Sequence, residues 1–184
     1  MAITKARITV EEYDRLTADD PRRTELVDGE IVVNEPRYPH AQLQADLIGA
    51  LSIWRQRSPG RIRVAGPTEV RLTEFDSYGP DLVVVPESPQ LTGRETLAVL
   101  PLICVEIRSP STWRYDIGRK KAVYEAAGVP ELWLVDGVAT EVIAFRRSTP
   151  ASPAFDVAAE LTRAEELTSP QLPGFALPLG ELFG

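Results

Sequence analysis

Two short apolar runs, each bounded by prolines and each carrying one carboxylate at an end, constrain this chain more than any other feature. The first extends from Pro80 and Asp81 to Pro86, and the second extends from Pro101 to Glu106. Runs of this length between prolines indicate buried strands rather than helices. If the strands are antiparallel neighbours, pairing Pro86 with Pro101 places Asp81 opposite Glu106. Adjacent acids repel each other unless a cation or a proton intervenes, so this pair is the first indication of a functional site.

The segment after Glu106 predicts a helix that carries a lysine towards this pair. Five residues recur at intervals of four, three, four and three, which places them on one helix face. They are Trp113, Ile117, Lys120, Tyr124 and Ala127, and Gly128 ends the helix. This face should point inward, since it carries aromatic and branched residues. Lys120 must therefore either extend to solvent or meet a negatively charged partner.

Each of these three polar side chains also has a structural interpretation. Asp81 follows a proline, where aspartate often caps a turn. Glu106 ends a buried run, so it either pairs with Arg108 or Lys120 or binds a hard cation such as Mg²⁺ or Mn²⁺. Lys120 either neutralises Glu106 or acts in catalysis, by steadying and helping to deprotonate a water or by stabilising charge on a phosphate. The convergence of two acids and a lysine favours the metal site.

Four further residues are candidates for a supporting role. His40 is the single histidine and begins a helix, where it is either exposed or capping, or approaches the same cleft. Glu25 is either a strand-surface charge or a contributor to the site. Asp116 is either an acid favoured by the helix dipole or a member of the site. Tyr124 either packs in the core with its hydroxyl bonded or faces the cleft beside Lys120.

Composition narrows the classes of function. The 184 residues predict one domain, 1–184, with one substantial core. A single cysteine excludes an internal disulfide, and a single histidine excludes an ordinary zinc-finger ligand set. No apolar run approaches a membrane span and no signal-peptide core is present, so we expect a cytoplasmic protein without membrane contact. The net charge of −7 opposes non-specific DNA binding, which requires a local arginine patch or bound metal.

The remaining segments alternate between helical and strand patterns. A capping box at Thr9–Glu12 predicts a short helix to about Leu16, and a second helix is predicted from about His40 to Arg57. Asp28-Gly29 predicts the turn of an N-terminal hairpin, Thr24–Val33. Further strands are predicted at Arg61–Val64, Thr68–Leu72, Glu131–Val135, Glu141–Arg146 and Phe155–Leu161, with a turn-rich loop at Glu74–Gly79 and a packed tail at Leu172–Phe183. The pattern indicates an α/β fold: a mixed sheet flanked by helices, with the hairpin and the C-terminal strands extending the sheet or covering the site.

In their order and spacing, several of these motifs resemble the Uma-type family of putative restriction endonucleases, within the PD-(D/E)XK nuclease superfamily. The resemblance extends over nearly the whole chain, from Thr9 to Gly174. The motifs that carry it are Pro80-Asp81, Glu106 with Ser109-Pro110-Ser111-Thr112, Asp116-x-x-x-Lys120-x-x-x-Tyr124, and Gly128-Val-Pro-Glu-Leu-Trp-Leu-Val-Asp136.

The resemblance implies a restriction-endonuclease-like fold and a divalent-metal-dependent phosphodiesterase core. Asp81 and Glu106, with the backbone carbonyl of Ile107, would hold Mg²⁺ or Mn²⁺. Arg108 occupies the position of the usual lysine, two residues after the second acid, and the resemblance implies that this lysine has moved to the helix, as Lys120. A homodimer is also implied.

The function predicted from the sequence is therefore metal-dependent hydrolysis of DNA phosphodiester bonds by an endodeoxyribonuclease. The alternative is a catalytically degenerate nuclease fold with a binding or regulatory role, which the acidic charge and Arg108 both favour. A hydrolase acting on another phosphate ester is a third hypothesis.

Overall fold

The two acid-bearing runs form neighbouring strands of a six-stranded sheet in the computed structural model, which describes residues 7–34, 38–58, 62–87, 97, 99–109 and 115–184. The strands are β1 Thr24–Val27, β2 Glu30–Val33, β3 Ile62–Ala65, β4 Val70–Thr73, β5 Asp76–Tyr78, β6 Leu82–Pro86, β7 Ile103–Ile107, β8 Glu131–Asp136, β9 Glu141–Arg146, β10 Val157–Thr162, β11 Glu166–Thr168 and β12 Ala176–Pro178. The helices are α1 Val10–Thr17, α2 Tyr38–Arg57, a π-helical turn Asp116–Lys120 that continues into α3 Lys121–Ala127, and α4 Leu179–Phe183. In the described part of the chain, no helix is long and apolar enough to cross a membrane.

The six-stranded sheet is mixed, as the sequence predicts, with the order β10-β9-β8-β7-β6-β3. Strands β7 and β8 are parallel, and the other neighbours are antiparallel. Leu82 pairs with Val105 and Val84 pairs with Ile103, which confirms the register predicted from the prolines. Continuing that register by one residue places Asp81 opposite Glu106. Directly opposed residues project from the same face of a sheet, so both acids face the same layer.

A separate layer covers each face of this sheet. On one face, α2 and the C-terminal segment pack over a core that includes Leu51, Trp133 and Phe175. On the other face, α3 and a second sheet enclose a core that includes Cys104 and Tyr124. Cys104 is fully buried, as its apolar flanks predict. Asp81 and Glu106 project into this second layer, because their side chains alternate with those that face the first.

The second sheet has the order β2-β1-β5-β4 and contains the predicted N-terminal hairpin. Asp28 and Gly29 have φ values of 53° and 74°, the left-handed conformation that a two-residue hairpin turn requires. The prediction of a loop at Glu74–Gly79 is wrong, because Asp76–Tyr78 is a buried strand that pairs with both β4 and β1. The hairpin therefore does not extend the six-stranded sheet.

The observed helix ends agree with those predicted from the sequence, and one helical turn differs from the prediction. The capping box forms between Thr9 and Glu12, and α2 ends at Arg57 as predicted. The regular helix predicted to begin at Trp113 is wrong where it is described, because Asp116–Lys120 is a π-helical turn; Trp113 itself lies outside the described residues. The wider turn rotates Ile117 outward, where it is 48% exposed, and turns Asp116 inward with Lys120.

Asp76 joins the second sheet to this π-helical turn. Its carboxylate is fully buried and accepts hydrogen bonds from Arg119 Nη2 (2.8 Å), Thr73 Oγ1 (2.6 Å), Tyr78 OH (2.6 Å) and the backbone N of Asp28 (3.0 Å). Burial acts to raise the pKa of Asp76, but these bonds outweigh it and lower the pKa to about 2. The ionised form therefore stabilises the fold.

We expect Asp76→Asn to reduce the free energy of unfolding by roughly 2 to 3 kcal/mol at pH 7. The folded pKa is depressed from the ordinary value of 3.8 to about 2. The carboxylate therefore makes its full contribution to the free energy of unfolding above about pH 4, and this contribution is lost as the pH falls towards 2. Urea denaturation at pH 7 and pH 3 measures this difference, with Asp46→Asn on the exposed face of α2 as the control. A loss for Asp76→Asn that is as large at pH 3 as at pH 7 would contradict the assignment.

Candidate active site

Asp81 lies where β6 begins, and its two carboxylate oxygens have different partners. Oδ2 accepts hydrogen bonds from the backbone N of Ile107 (2.8 Å) and lies 3.0 Å from His40 Nε2. Oδ1 lies 3.2 Å from Arg23 Nη2. The side chain is almost fully buried. Asp81 is thus held against the end of β7, one residue beyond Glu106.

Lys120 lies at the centre of a cluster of three carboxylates. Its Nζ atom is 2.6 Å from Glu25 Oε2, 3.1 Å from Asp116 Oδ1 and 3.2 Å from each carboxylate oxygen of Glu106. Tyr124 OH donates to Glu106 Oε1 at 2.7 Å. Lys120 is completely buried, and the three acids are each 0 to 1% exposed. Three separate segments, β1, β7 and the π-helical turn, therefore meet on one ammonium group.

The charges of this cluster do not balance. Burial acts to lower the pKa of Lys120, but Glu106, Glu25 and Asp116 outweigh it and raise the pKa well above its ordinary value. Burial raises the pKa of Glu106, and the neighbouring Asp116, Glu25 and Asp81 raise it further against the opposing effect of Lys120. Burial also acts to raise the pKa of Asp81, but the bonds from His40 and Ile107 and the charge of Arg23 leave it below its ordinary value. One ammonium therefore faces an excess of acid.

The structure brings together most of the candidates from the sequence, although their roles stay predictions. Asp81, Glu106 and Lys120 meet at one edge of the six-stranded sheet. The strand-surface interpretation of Glu25 and the exposed or capping interpretation of His40 are both wrong, because these residues are 1% and 6% exposed. Asp116 begins the π-helical turn, as the helix-dipole interpretation predicts, and it is also buried beside Lys120.

Arg108 points away from the two acids. Its Nη1 atom lies 2.5 Å from Asp136 Oδ2, at the end of the neighbouring strand β8. Asp136 Oδ1 also accepts from the backbone N atoms of Val138 and Ala139. Tyr124 combines both of its interpretations, because its ring is buried in the core and its hydroxyl bonds Glu106.

Two residues at this site, Arg23 and Asn34, were not predicted from the sequence. Arg23 contacts Asp81 from a position 58 residues earlier, and Asn34 Nδ2 donates to Glu25 Oε1 at 3.4 Å. Asn34 Oδ1 and His40 Nδ1 are buried and have no hydrogen-bond partner among the described residues. An unsatisfied buried polar atom costs about 1 to 3 kcal/mol. Such atoms beside the acids are expected where a site receives water or a ligand.

The donor chemistry of the site fits a hard divalent cation. Asp81 and Glu106 offer carboxylate oxygens. Burial and the neighbouring acids raise the pKa of Glu106, and a bound cation would offset this excess of negative charge. Within the described ranges, no group of three or more histidine, cysteine, aspartate or glutamate side chains is arranged to hold a metal. Mg²⁺ commonly binds through one or two carboxylates and completes its shell with water and substrate oxygens. Two acids therefore suffice for this ion.

We expect Lys120→Met to destabilise the protein by about 3 to 5 kcal/mol, because the buried carboxylates lose their only shared cation among the described side chains. Lys121→Met is the matched control. Lys121 is a quarter exposed, lies 3.6 Å from Glu125 and is 4.7 Å from the centre of the Phe145 ring, so its loss should cost about 1 to 2 kcal/mol. Urea denaturation of both variants measures the difference. Adding Glu106→Gln to Lys120→Met should recover part of the loss, whereas equal losses for the two lysines would contradict the cluster.

Comparison with known proteins places this geometry in context. A crystal structure of a putative nuclease belonging to DUF820, from Anabaena variabilis ATCC 29413, superimposes with a TM-score of 0.77 at 17% identity, covering 96% of this chain and 97% of that one. At this identity the likeness establishes the fold. No curated protein matches the sequence. Residues 10–180 match the Uma2 family, described as putative restriction endonucleases. The chain therefore belongs to the Uma2 family.

Proposed function

We propose that this protein is a metal-dependent endonuclease that hydrolyses phosphodiester bonds of DNA. The observation that carries the proposal is Lys120, buried beside Glu106 and among two further acids, at the sheet edge where Asp81 lies. An ammonium and paired carboxylates are the groups that phosphodiester hydrolysis needs to bind a cation and to stabilise charge on the phosphate. Membership of a family of putative restriction endonucleases supports this reaction class.

In this proposal, Asp81, Glu106 and the backbone carbonyl of Ile107 hold Mg²⁺ or Mn²⁺. When bound, the ion would lower the pKa of a coordinated water and offset charge on the scissile phosphate. Lys120 steadies the attacking water or the charge that develops on the phosphate. It suits this role because Glu25 and Asp116 hold its Nζ atom at 2.6 and 3.1 Å.

Several neighbours would act by orienting these groups. His40 and Arg23 fix the carboxylate of Asp81, and Tyr124 fixes that of Glu106. Such outer partners set the direction of metal ligands and are needed for tight metal binding. Arg108 follows Glu106 by two residues but bonds Asp136. The structure therefore supports Lys120, rather than Arg108, as the cation that acts at the acids.

One observation favours a second candidate function, a nuclease fold that binds without cleaving. All the acids around Lys120 already contact it, so the cluster is partly neutralised by the chain itself. A protein whose lysine served only to neutralise Glu106 would show the same contacts. Measurements of metal binding and cleavage distinguish the two functions.

We expect purified protein to nick or linearise plasmid DNA in Mg²⁺ or Mn²⁺ and to lose this activity in EDTA. Asp81→Asn and Glu106→Gln should each lower the rate at least about 100-fold, because each removes a charge aimed at the ion or the phosphate. Asp46→Asn, on the exposed face of α2, is the matched control. Thermal melting verifies that each variant is folded, and titration calorimetry with Mn²⁺ measures the loss of metal binding. Activity retained in both site variants would remove this site from consideration, whereas an absence of both cleavage and metal binding would favour the binding protein.

We also propose that the active form is a homodimer, because two copies related by a twofold axis can cut both strands of a duplex. Sedimentation equilibrium of the 20.3-kDa chain tests this proposal. A mass of about 40 kDa is expected for the dimer, and a mass equal to that of one chain at the concentration used for cleavage would contradict it.

A further inference from the structure

The acidic pair lies between two arginines along one edge of the six-stranded sheet. Strands β7 and β8 are parallel and end at this edge, and the antiparallel strand β6 begins there. Arg108 leaves the end of β7 towards Asp136 on β8, on the side away from β6. Arg23 contacts Asp81 through Oδ1, whereas the oxygen that bonds β7 is Oδ2. Arg108 therefore lies on the β8 side of the acidic pair, and Arg23 contacts Asp81, the acid on the β6 side.

Both arginines remain accessible from solvent although the acids between them are buried. The side chain of Arg23 is 24% exposed and that of Arg108 is 39% exposed, compared with 3% for Asp81 and 2% for Glu106. Arg23 also lines an open pocket of about 700 Å³ together with Thr24, Ser77 and Gly79. The bonds of Arg23 to described residues all use Nη2. Its Nε and Nη1 atoms therefore remain as donors for an incoming anion.

The other cations near the acids are less suited to bind the phosphates that flank the scissile phosphate. Lys120 is enclosed by three carboxylates. Arg119 is bound to the buried Asp76 and to Asp28. A chain with a net charge of −7 needs local cations to hold a polyanion. Arginine suits this task because its guanidinium group is always charged and carries five N–H donors, so it can contact a phosphate while it is bonded elsewhere.

We propose that Arg23 and Arg108 form a phosphate clamp that holds the nucleic-acid backbone on both sides of the scissile phosphate. This inference rests on the proposed nuclease function and assigns the substrate contacts of that site. Asp136 on β8 lies two strands away from Asp81 and two residues farther along the strand direction, so about 12 Å separates the two residues. A nucleic-acid backbone that runs along this end of the sheet would therefore contact Arg108 on one side and Arg23 on the other. The phosphate between them then lies over Glu106 and Asp81.

The salt dependence of nucleic-acid binding tests the clamp. The slope of log K against log salt is proportional to the number of phosphates that the protein neutralises. Fluorescence anisotropy with a labelled 20-base-pair DNA duplex in Ca²⁺, followed by a gel that verifies intact strands, gives the dissociation constant at each salt concentration. We expect Arg23→Gln and Arg108→Gln each to weaken binding about tenfold. Each should also reduce the slope of log K against log salt by about 0.9 on duplex DNA, or about 0.7 on single-stranded DNA or RNA.

Two kinds of control separate a phosphate contact from a structural role. Arg63→Gln removes the same charge from an exposed arginine on β3 that also pairs with a carboxylate, Glu87, and it should leave the slope unchanged. Arg23→Lys and Arg108→Lys keep the charge and should restore the slope even where affinity remains lower. A merely structural arginine would change thermal stability without this pattern.

The possible outcomes distinguish the clamp from the hydrolytic function. If the unmodified protein cleaves DNA but the glutamine variants keep its slope, the clamp is wrong and the nuclease function stands. If binding depends on both arginines but no DNA or RNA is cleaved in Mg²⁺, the clamp stands and the proposed hydrolysis is wrong. If the unmodified protein binds neither DNA nor RNA at low salt, the clamp is wrong as well.

Discussion

The buried ion cluster around Lys120 is the interaction on which the arrangement of the two sheets depends. Glu25 reaches it from the second sheet, Glu106 from the first, and Asp116 from the π-helical turn. Desolvating four charged groups is costly, and an apolar cluster of similar volume is often neutral or stabilising by about 1 to 4 kcal/mol. Packing alone does not account for the choice of these residues. Their presence beside the apolar core of the second layer favours the proposed site for charged chemistry.

The π-helical turn explains how one short segment supplies two members of the cluster. Asp116 and Lys120 are four residues apart, and both are buried, whereas the intervening Ile117 is exposed. The wider turn aligns the acid and the lysine on the inward face. Arg119 leaves the same turn in another direction and bonds Asp76 in the second sheet. The turn is therefore fixed by ion pairs on two sides, and α3 continues from it with Tyr124 directed at Glu106.

Short sequence patterns predicted those parts of the structure that depend on residues close together in the sequence. Proline boundaries gave the register that brings Asp81 opposite Glu106, and Asp28-Gly29 gave the hairpin. Contacts between distant segments were not predictable in the same way. Arg23 meets Asp81 across 58 residues, and nothing in its local pattern marks it. Strand β5 escaped prediction because the buried carboxylate of Asp76 has the appearance of a loop residue until its partners are known.

The excess of acid at the site also bears on the order of binding. With Glu25, Glu106 and Asp116 around one ammonium, the interior of the site is unfavourable for a phosphate until further positive charge arrives. A divalent cation held by Asp81 and Glu106 would supply that charge at the acids, whereas Arg23 and Arg108 supply it at the rim. The two sources are not interchangeable, since the arginines are partly exposed and the acids are buried. Cation binding in the interior and phosphate binding at the rim would therefore favour each other, because each reduces the charge that opposes the other.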